Sequence, residues 1–317
     1  MTGVQTCALP IFNGADGNPG NSPQRALATL YRAIALAKSG NNDVVVLIGN
    51  GASSGSARLS KALAQSVDST ATTGTLNWNK NAVHLIGVAA PTRIGERARI
   101  APPTGTYTQS TFGSGNFVVV SGQGCYFANL DVFNGFSTGG TNQIAWTDSG
   151  GRNAYNNCNF QGMGDAASAA DTGSRSLLVT GTTGENTFTN CTIGLDTVQR
   201  STGTAEFEFA AGSPRNIFEN CTFLTNAGAV GCFWGKVGVG GIDRFALFRG
   251  CTFINPTLGG PGASAMTVGL SINAAPGGAV LIQDCLSYGA TKLTASGLAV
   301  TNQPASAAGG ALVTAIT

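Results

Sequence analysis

Through the middle of the chain the apolar residues come in short runs, each closed by Asn, Gly, Ser or Asp, and the runs repeat. Four segments align on one another: Asn153-Ala-Tyr-Asn-Asn-Cys158-Asn-Phe160, Asn186-Thr-Phe-Thr-Asn-Cys191-Thr-Ile193, Asn216-Ile-Phe-Glu-Asn-Cys221-Thr-Phe223 and Arg244-Phe-Ala-Leu-Phe-Arg-Gly-Cys251-Thr-Phe253. They share Phe or Tyr, a variable residue, Asn or Gly, Cys, a variable residue, then Phe or Ile. A weaker copy, Phe127-Ala-Asn129-Leu130-Asp-Val132, carries Leu in the cysteine position, and Val280-Leu-Ile-Gln-Asp284-Cys285-Leu follows the set. The aligned positions 130, 158, 191, 221, 251 and 285 lie 28, 33, 30, 30 and 34 residues apart.

A period near 30 with loose length predicts a solenoid of coils, fixed in their strands and variable in their loops, each burying its apolar side against its neighbours. Strict alternation cannot turn Phe188, Cys191 and Ile193 to one side, because the first two are three residues apart. The intervening Asn190 resolves this: Asn accepts the left-handed conformation, so a tight bend there lets both flanking strands point inward. Asn129, Asn157, Asn190 and Asn220 are then expected as a ladder at one corner. The upstream half of each coil also recurs as a short strand, in Asn116-Phe-Val-Val-Val-Ser-Gly122, Gln143-Ile-Ala-Trp-Thr, Ser176-Leu-Leu-Val-Thr-Gly181, Glu206-Phe-Glu-Phe-Ala-Ala-Gly212 and Ala265-Met-Thr-Val-Gly-Leu-Ser. Two or three strands per coil result, in an all-β, right-handed parallel β-helix.

The start of the chain is different. Leu27, Leu30, Ile34 and Ala37 recur at helical spacing, with Ser22 before Pro23 as the stronger N-cap candidate and Thr29 the weaker. A short helix followed by the strand Asp43-Val-Val-Val-Leu-Ile-Gly49 would cover the open end of the solenoid. Gly17-Asn-Pro-Gly-Asn-Ser-Pro23, Thr29 and Asn42-Asp-Val-Val-Val46 together resemble the N-terminal cap of many parallel β-helix proteins of the pectate-lyase-like superfamily. Met1 to Ile11 instead resembles a translated sequencing adapter, which implies a non-native segment, a missing true N-terminus and a gene assembled from environmental DNA. It is expected to lie loose, with Cys7 irrelevant. The expected organisation is 1–11 adapter-derived, 12–50 cap, 51–300 β-helix coils and 301–317 a tail. The tail from Gln303 to Val313 offers no clear cap, which points to a homotrimer that covers the open end.

Composition agrees with a turn-rich β protein: Gly 46 and only 10% charged residues in 317. Lys+Arg 17 against Asp+Glu 15 gives a net charge of +2 with neither sign gathered into a run, so no nucleic-acid footprint is present. The apolar runs are strand-length, and no membrane span is expected. Of the eight cysteines, Cys158, Cys191, Cys221, Cys251 and Cys285 recur at one repeated position, where free Cys acts as a small buried hydrophobe. An internal ladder is therefore expected in place of disulfides. No Cys-x-x-Cys pair suggests zinc, and no metal or cofactor is implied.

Signals for catalysis are thin. His84, the single histidine, falls in the strand-like Asn81-Ala-Val-His-Leu-Ile-Gly87 and reads as structural. Glycoside hydrolysis needs two carboxylates across the bond. Glu206 and Glu208 alternate with Phe207 and Phe209, so both are expected to face solvent, about 6–7 Å apart. Asp196 with Arg200, and Asp165 or Glu185 on turns, are further candidates for the same lateral groove. A lyase would want clustered acids for calcium and a basic residue for proton abstraction, and the sequence offers no such cluster. Met163-Gly-Asp165-Ala166, Cys191-Thr-Ile-Gly-Leu-Asp-Thr197 and Arg215-Asn-Ile-Phe-Glu-Asn-Cys221 resemble β-helix virion proteins of environmental tailed phages. That resemblance implies a non-catalytic accessory or receptor-binding β-helix in the virion, with other virion proteins or a cell-surface glycan as partners. The alternative is a polysaccharide-degrading tailspike or a secreted glycan hydrolase or lyase.

Overall fold

A computed structural model describes residues 6–9, 15–48, 75–88, 98–100, 116–134, 143–162, 164, 166–256, 265–295 and 299–301. Asp165 and the tail from Gln303 lie outside the described residues. The chain is a parallel β-solenoid of three sheets of 10, 7 and 8 strands. Among the described residues every strand pair is parallel, and each strand inside a sheet pairs with its counterparts one coil earlier and one coil later.

One coil shows how the sequence makes the shape. Thr187–Thr189 belongs to the first sheet and puts Phe188 into the core. Asn190 then turns the chain at φ 55, and the next strand, Thr192–Arg200 of the second sheet, sends Ile193 inward. A loop leads to Ala205–Phe209 of the third sheet, which buries Phe207 and Phe209. The same left-handed turn occurs at Asn129 (φ 56), Asn157 (φ 53), Asn220 (φ 52), Gly250 (φ 61) and Asp284 (φ 51). Asn157 Nδ2 donates to Asn129 Oδ1 at 2.8 Å, so the corner residues also bond to one another.

In-register stacking makes the core a set of columns of like residues. Phe127, Tyr155, Phe188, Phe218 and Phe248 occupy one inward position, with successive ring centroids 5.0, 4.5, 4.5 and 5.1 Å apart and nearly parallel planes. Phe223 stacks on Phe253 in the second sheet at 4.6 Å. A charged group enters this core: Asp148 lies in register with Val120 and Val179. Its carboxylate accepts from Tyr155 Oη at 2.5 Å, Asn153 Nδ2 at 2.9 Å and the Gly151 amide at 3.0 Å. Burial holds the Asp148 carboxyl above the usual carboxylate range despite these donors.

The cap differs from expectation in two respects. The helix is Leu30–Leu36 and its N-cap is Thr29, whose Oγ1 accepts from the Arg32 amide at 3.1 Å. Ser22 precedes only the 3-10 turn Pro23–Arg25 and makes no side-chain cap bond. Asp16 decides between them, since its carboxylate takes the Ala28 and Thr29 amides and the Thr29 hydroxyl, fixing the chain just ahead of the helix. Leu30, Ala33 and Ile34 bury the inward face, and the helix packs on Leu76–Trp78, the outermost strand of the third sheet. Contrary to the expectation of a loose segment, Thr6–Leu9 runs parallel to Asp43–Ile48 as the outermost strand of the first sheet. An open sheet edge offers main-chain donors and acceptors to any extended segment, whatever its side chains.

The corner column gives a direct test. Asn220→Gly should leave stability within a few tenths of a kcal/mol, whereas Asn220→Ala should cost about 1 kcal/mol, because only the latter strains a left-handed backbone. Urea denaturation of both variants measures the difference.

Candidate functional site

The outer face of the third sheet carries the charged side chains that the fold brings together. Leu178, Glu208, Lys236 and Ser271 stand in register on four successive strands, between inward columns containing Leu177, Phe207 and Leu270 on one side and Val179, Phe209, Val237 and Ile272 on the other. Arg175, one coil before Glu208, reaches the same place: its Nε and Nη2 contact Glu208 Oε2 at 2.8 and 2.7 Å. Arg175 Nη1 also donates to the Thr172 and Ser174 carbonyls at 2.8 and 2.6 Å, so its guanidinium is held in place. Lys236 Nζ donates to the Gly203 carbonyl and lies 5.7 Å from the centre of the Phe233 ring. Burial, reinforced by the Arg175 charge and opposed by Glu208, keeps the Lys236 amine below the ordinary lysine range.

Loops between the second and third sheets form a bank beside this row. Residues 171–174 and 201–204 supply the carbonyls just named, and the Gly203 amide donates to Gly231 O at 2.8 Å, tying one loop to the next. Gly203 sits at φ 87 with Thr172 Cγ2 2.9 Å from where a Cβ would be, so a side chain there would strain the backbone and meet the neighbouring loop.

Glu206 occupies a different environment from Glu208, and this corrects the expectation that both face solvent. Its side chain is fully buried in the corner between the second and third sheets. Oε1 pairs with Arg200 Nε at 3.3 Å and accepts from Thr225 Oγ1 at 3.1 Å; Oε2 accepts from Ser176 Oγ at 2.7 Å. Alternation does place Glu206 off the core face, but near the end of a coil that side is closed by the second sheet rather than by water. Burial raises the Glu206 carboxyl above its ordinary range, outweighing the opposing Arg200 charge and the two hydroxyls. Arg200, itself buried, donates Nη2 to Gly162 O at 3.2 Å, and its Nη1 has no partner.

The remaining candidates do not join this row. Asp196 is exposed on the second sheet, where its main-chain carbonyl accepts from Asn226 Nδ2 at 3.0 Å. Glu185 lies between Arg152 and Arg215 at the corner leading into the first sheet, and these two cations hold its carboxyl below the usual range. His84 is half-buried on the first sheet; its Nδ1 accepts the Tyr126 amide at 3.0 Å, and burial lowers its pKa. Among the described residues no three His, Cys, Asp or Glu side chains converge on a point that would hold a metal ion.

Cys125, Cys158, Cys191, Cys221, Cys232, Cys251 and Cys285 are free and buried. Cys158, Cys191, Cys221, Cys251 and Cys285 follow the corner turns, so the cysteines stand one above another on successive coils. Each also donates to a carbonyl one coil earlier: Phe127, Tyr155, Phe188, Phe218 and Phe248, at 3.3–3.7 Å. Sequence reasoning overlooked a second asparagine column. Asn153, Asn186 and Asn216 open the aligned segments and are buried. Asn153 accepts the Cys125 amide, Asn186 that of Asn153 and Asn216 that of Asn186, at 2.8, 3.0 and 3.3 Å. Their identical place in three segments was the available signal. Arg175 and Lys236 gave none, since each is a single basic residue in a different strand context.

Two substitutions separate the glutamates. Glu206→Gln should cost about 3–5 kcal/mol of stability by leaving Arg200 buried without its counter-charge, while Glu208→Gln, on the half-exposed face, should cost about 1 kcal/mol or less. Chemical denaturation of the two variants side by side gives the comparison.

Neither a protein-family model nor a curated protein matches the sequence. Among solved structures, the chain is similar to "Crystal structure of pectate lyase Pel9A", with 15% identity, a TM-score of 0.58, and coverage of 95% of this chain and 67% of that one. It is also similar to "Rhamnogalacturonan lyase", with 14% identity, a TM-score of 0.60, and coverage of 92% and 70%. At such identity the likeness is one of fold: the chain has the parallel β-helix architecture of pectate-lyase-like proteins.

Proposed function

We propose that the protein engages a polysaccharide on the outer face of the third sheet, holding the glycan without cleaving it, as a β-helix displayed on a phage particle. The observation that carries the reading is the Arg175–Glu208–Lys236 row. Glu208 Oε2 is taken by Arg175, while Lys236 stands one strand away in register. A carboxylate beside an ammonium accepts from one sugar hydroxyl and donates to its neighbour, and the Phe233 ring beside Lys236 supplies apolar contact for a sugar face. Holding rather than cleaving is favoured because Glu206 is locked inside by Arg200, which removes the paired carboxylates that hydrolysis would need. The two solved structures named above are lyases of polysaccharides, in keeping with a glycan ligand. Placement on a virion rests on the sequence resemblance at residues 191–197 and 215–221.

A second reading, a glycan lyase or hydrolase of a tailspike or secreted protein, is favoured by one feature: Lys236 stands beside Glu208 on an outward face with its amine held below the ordinary lysine range by burial. Affinity electrophoresis through bacterial capsular and plant polysaccharides, with parallel assay of reducing and unsaturated ends, distinguishes the two. The expected result is retardation by at least one polysaccharide, about tenfold or more weaker in Lys236→Ala and in Glu208→Gln, with no fragments released. Fragment release abolished by Glu208→Gln would overturn the non-catalytic reading, and absence of retardation by any polysaccharide would overturn glycan engagement. Portal, capsid or terminase genes beside this one would support the virion placement, and glycan-transport genes a secreted protein.

A further inference from the structure

The thiol ladder is set apart from the glycan-facing row, and its chemistry is unused there. We propose that the Cys158–Cys191–Cys221–Cys251–Cys285 column is a two-coordinate site for soft d10 metal ions, mercuric ion foremost, each ion bridging two sulfurs on adjacent coils.

The geometry is set by the fold. The residues following each cysteine pair in register, Asn159 with Thr192, Thr192 with Thr222, Thr222 with Thr252 and Thr252 with Leu286, so the sulfurs repeat at the strand spacing of about 4.8 Å. A metal–thiolate bond is about 2.3 Å, so an ion midway between two rungs meets both sulfurs in a line with little movement of either strand. Thiolate is the soft ligand that selects such ions. Ions demanding four ligands find none, since no third His, Cys, Asp or Glu side chain converges with any pair among the described residues.

Charge also favours a divalent soft ion. Two thiols lose their protons to solvent, two metal–sulfur bonds form, and the product, sulfur–mercury–sulfur, is neutral; no electrons are transferred. A neutral bridge can stand in an apolar interior where a free thiolate cannot. The bonds surrendered are the weak sulfur-to-carbonyl contacts at 3.3–3.7 Å. Because all five cysteines are at most 2% exposed, uptake has to follow local opening of the coils and will be slow.

Adjacency rather than thiol number is the discriminating variable. Five rungs hold two separate pairs, so mercuric ion added to the full chain against an excess of a monothiol competitor should be retained at about two equivalents, with two sulfurs per metal by X-ray absorption and a raised melting temperature. Cys221→Ala leaves the pairs 158–191 and 251–285 and should still retain two. The double variant Cys191→Ala, Cys251→Ala keeps three of the thiols with none adjacent, and should retain no bridged metal. Should that variant fail to fold, as judged by circular dichroism, Cys158→Ala with Cys221→Ala leaves only the pair 251–285 and should retain one. Retention that does not follow this pattern, or mercury bound to a single sulfur in the unsubstituted protein, would overturn the proposal.

Discussion

Like-on-like contact is the constraint from which the rest of this molecule follows. When parallel strands stack in register, each inward side chain rests on the same position of the next coil, so residues that pack well against copies of themselves are favoured. Flat rings satisfy this by lying face on face, as Phe188 and Phe218 do at 4.5 Å with planes 3° apart. Small polarisable thiols satisfy it by standing one above another, each donating to a carbonyl of the coil before. Asparagine satisfies it twice over, at the outward corner with a left-handed backbone and in the buried column where each side chain takes an amide from the neighbouring coil.

This is why the architecture could be read from the sequence and the charged row could not. Stacking writes itself into the chain as recurrence, and the Phe-x-Asn-Cys-x-Phe unit carries the corner, both strands around it and the burial of three side chains. Arg175, Glu208 and Lys236 recur in nothing. They meet because three coils of unlike sequence place one strand position above another, a relation visible only once register is known. The N-cap was misjudged for a comparable reason: Ser22-Pro23 has the stronger local signature, but Asp16, from a preceding turn, gathers the amides at Ala28 and Thr29 and sets where the helix begins.

The two glutamates show where a period-two rule stops working. Alternation separates the core side of a strand from its other side, and says nothing of what lies on the other side. On Ala205–Phe209 that side is open at Glu208 and closed at Glu206, two residues nearer the turn, where Thr225 and Arg200 stand over it. One carboxylate is thereby committed to holding two sheets together, and its neighbour is left facing outward with one oxygen uncommitted.

The unequal repeat lengths have an evolutionary reading. In the five coils from Tyr155 onward the chain joining the first sheet to the second is two residues, the corner residue and the cysteine, whereas the segments from the second sheet to the third range from one residue, Gly289, to the thirteen between Gln161 and Arg175. In these coils length varies most along one flank, the flank that borders the Glu208 row. Descendants of this chain can acquire new surface chemistry there while inheriting the interior unaltered.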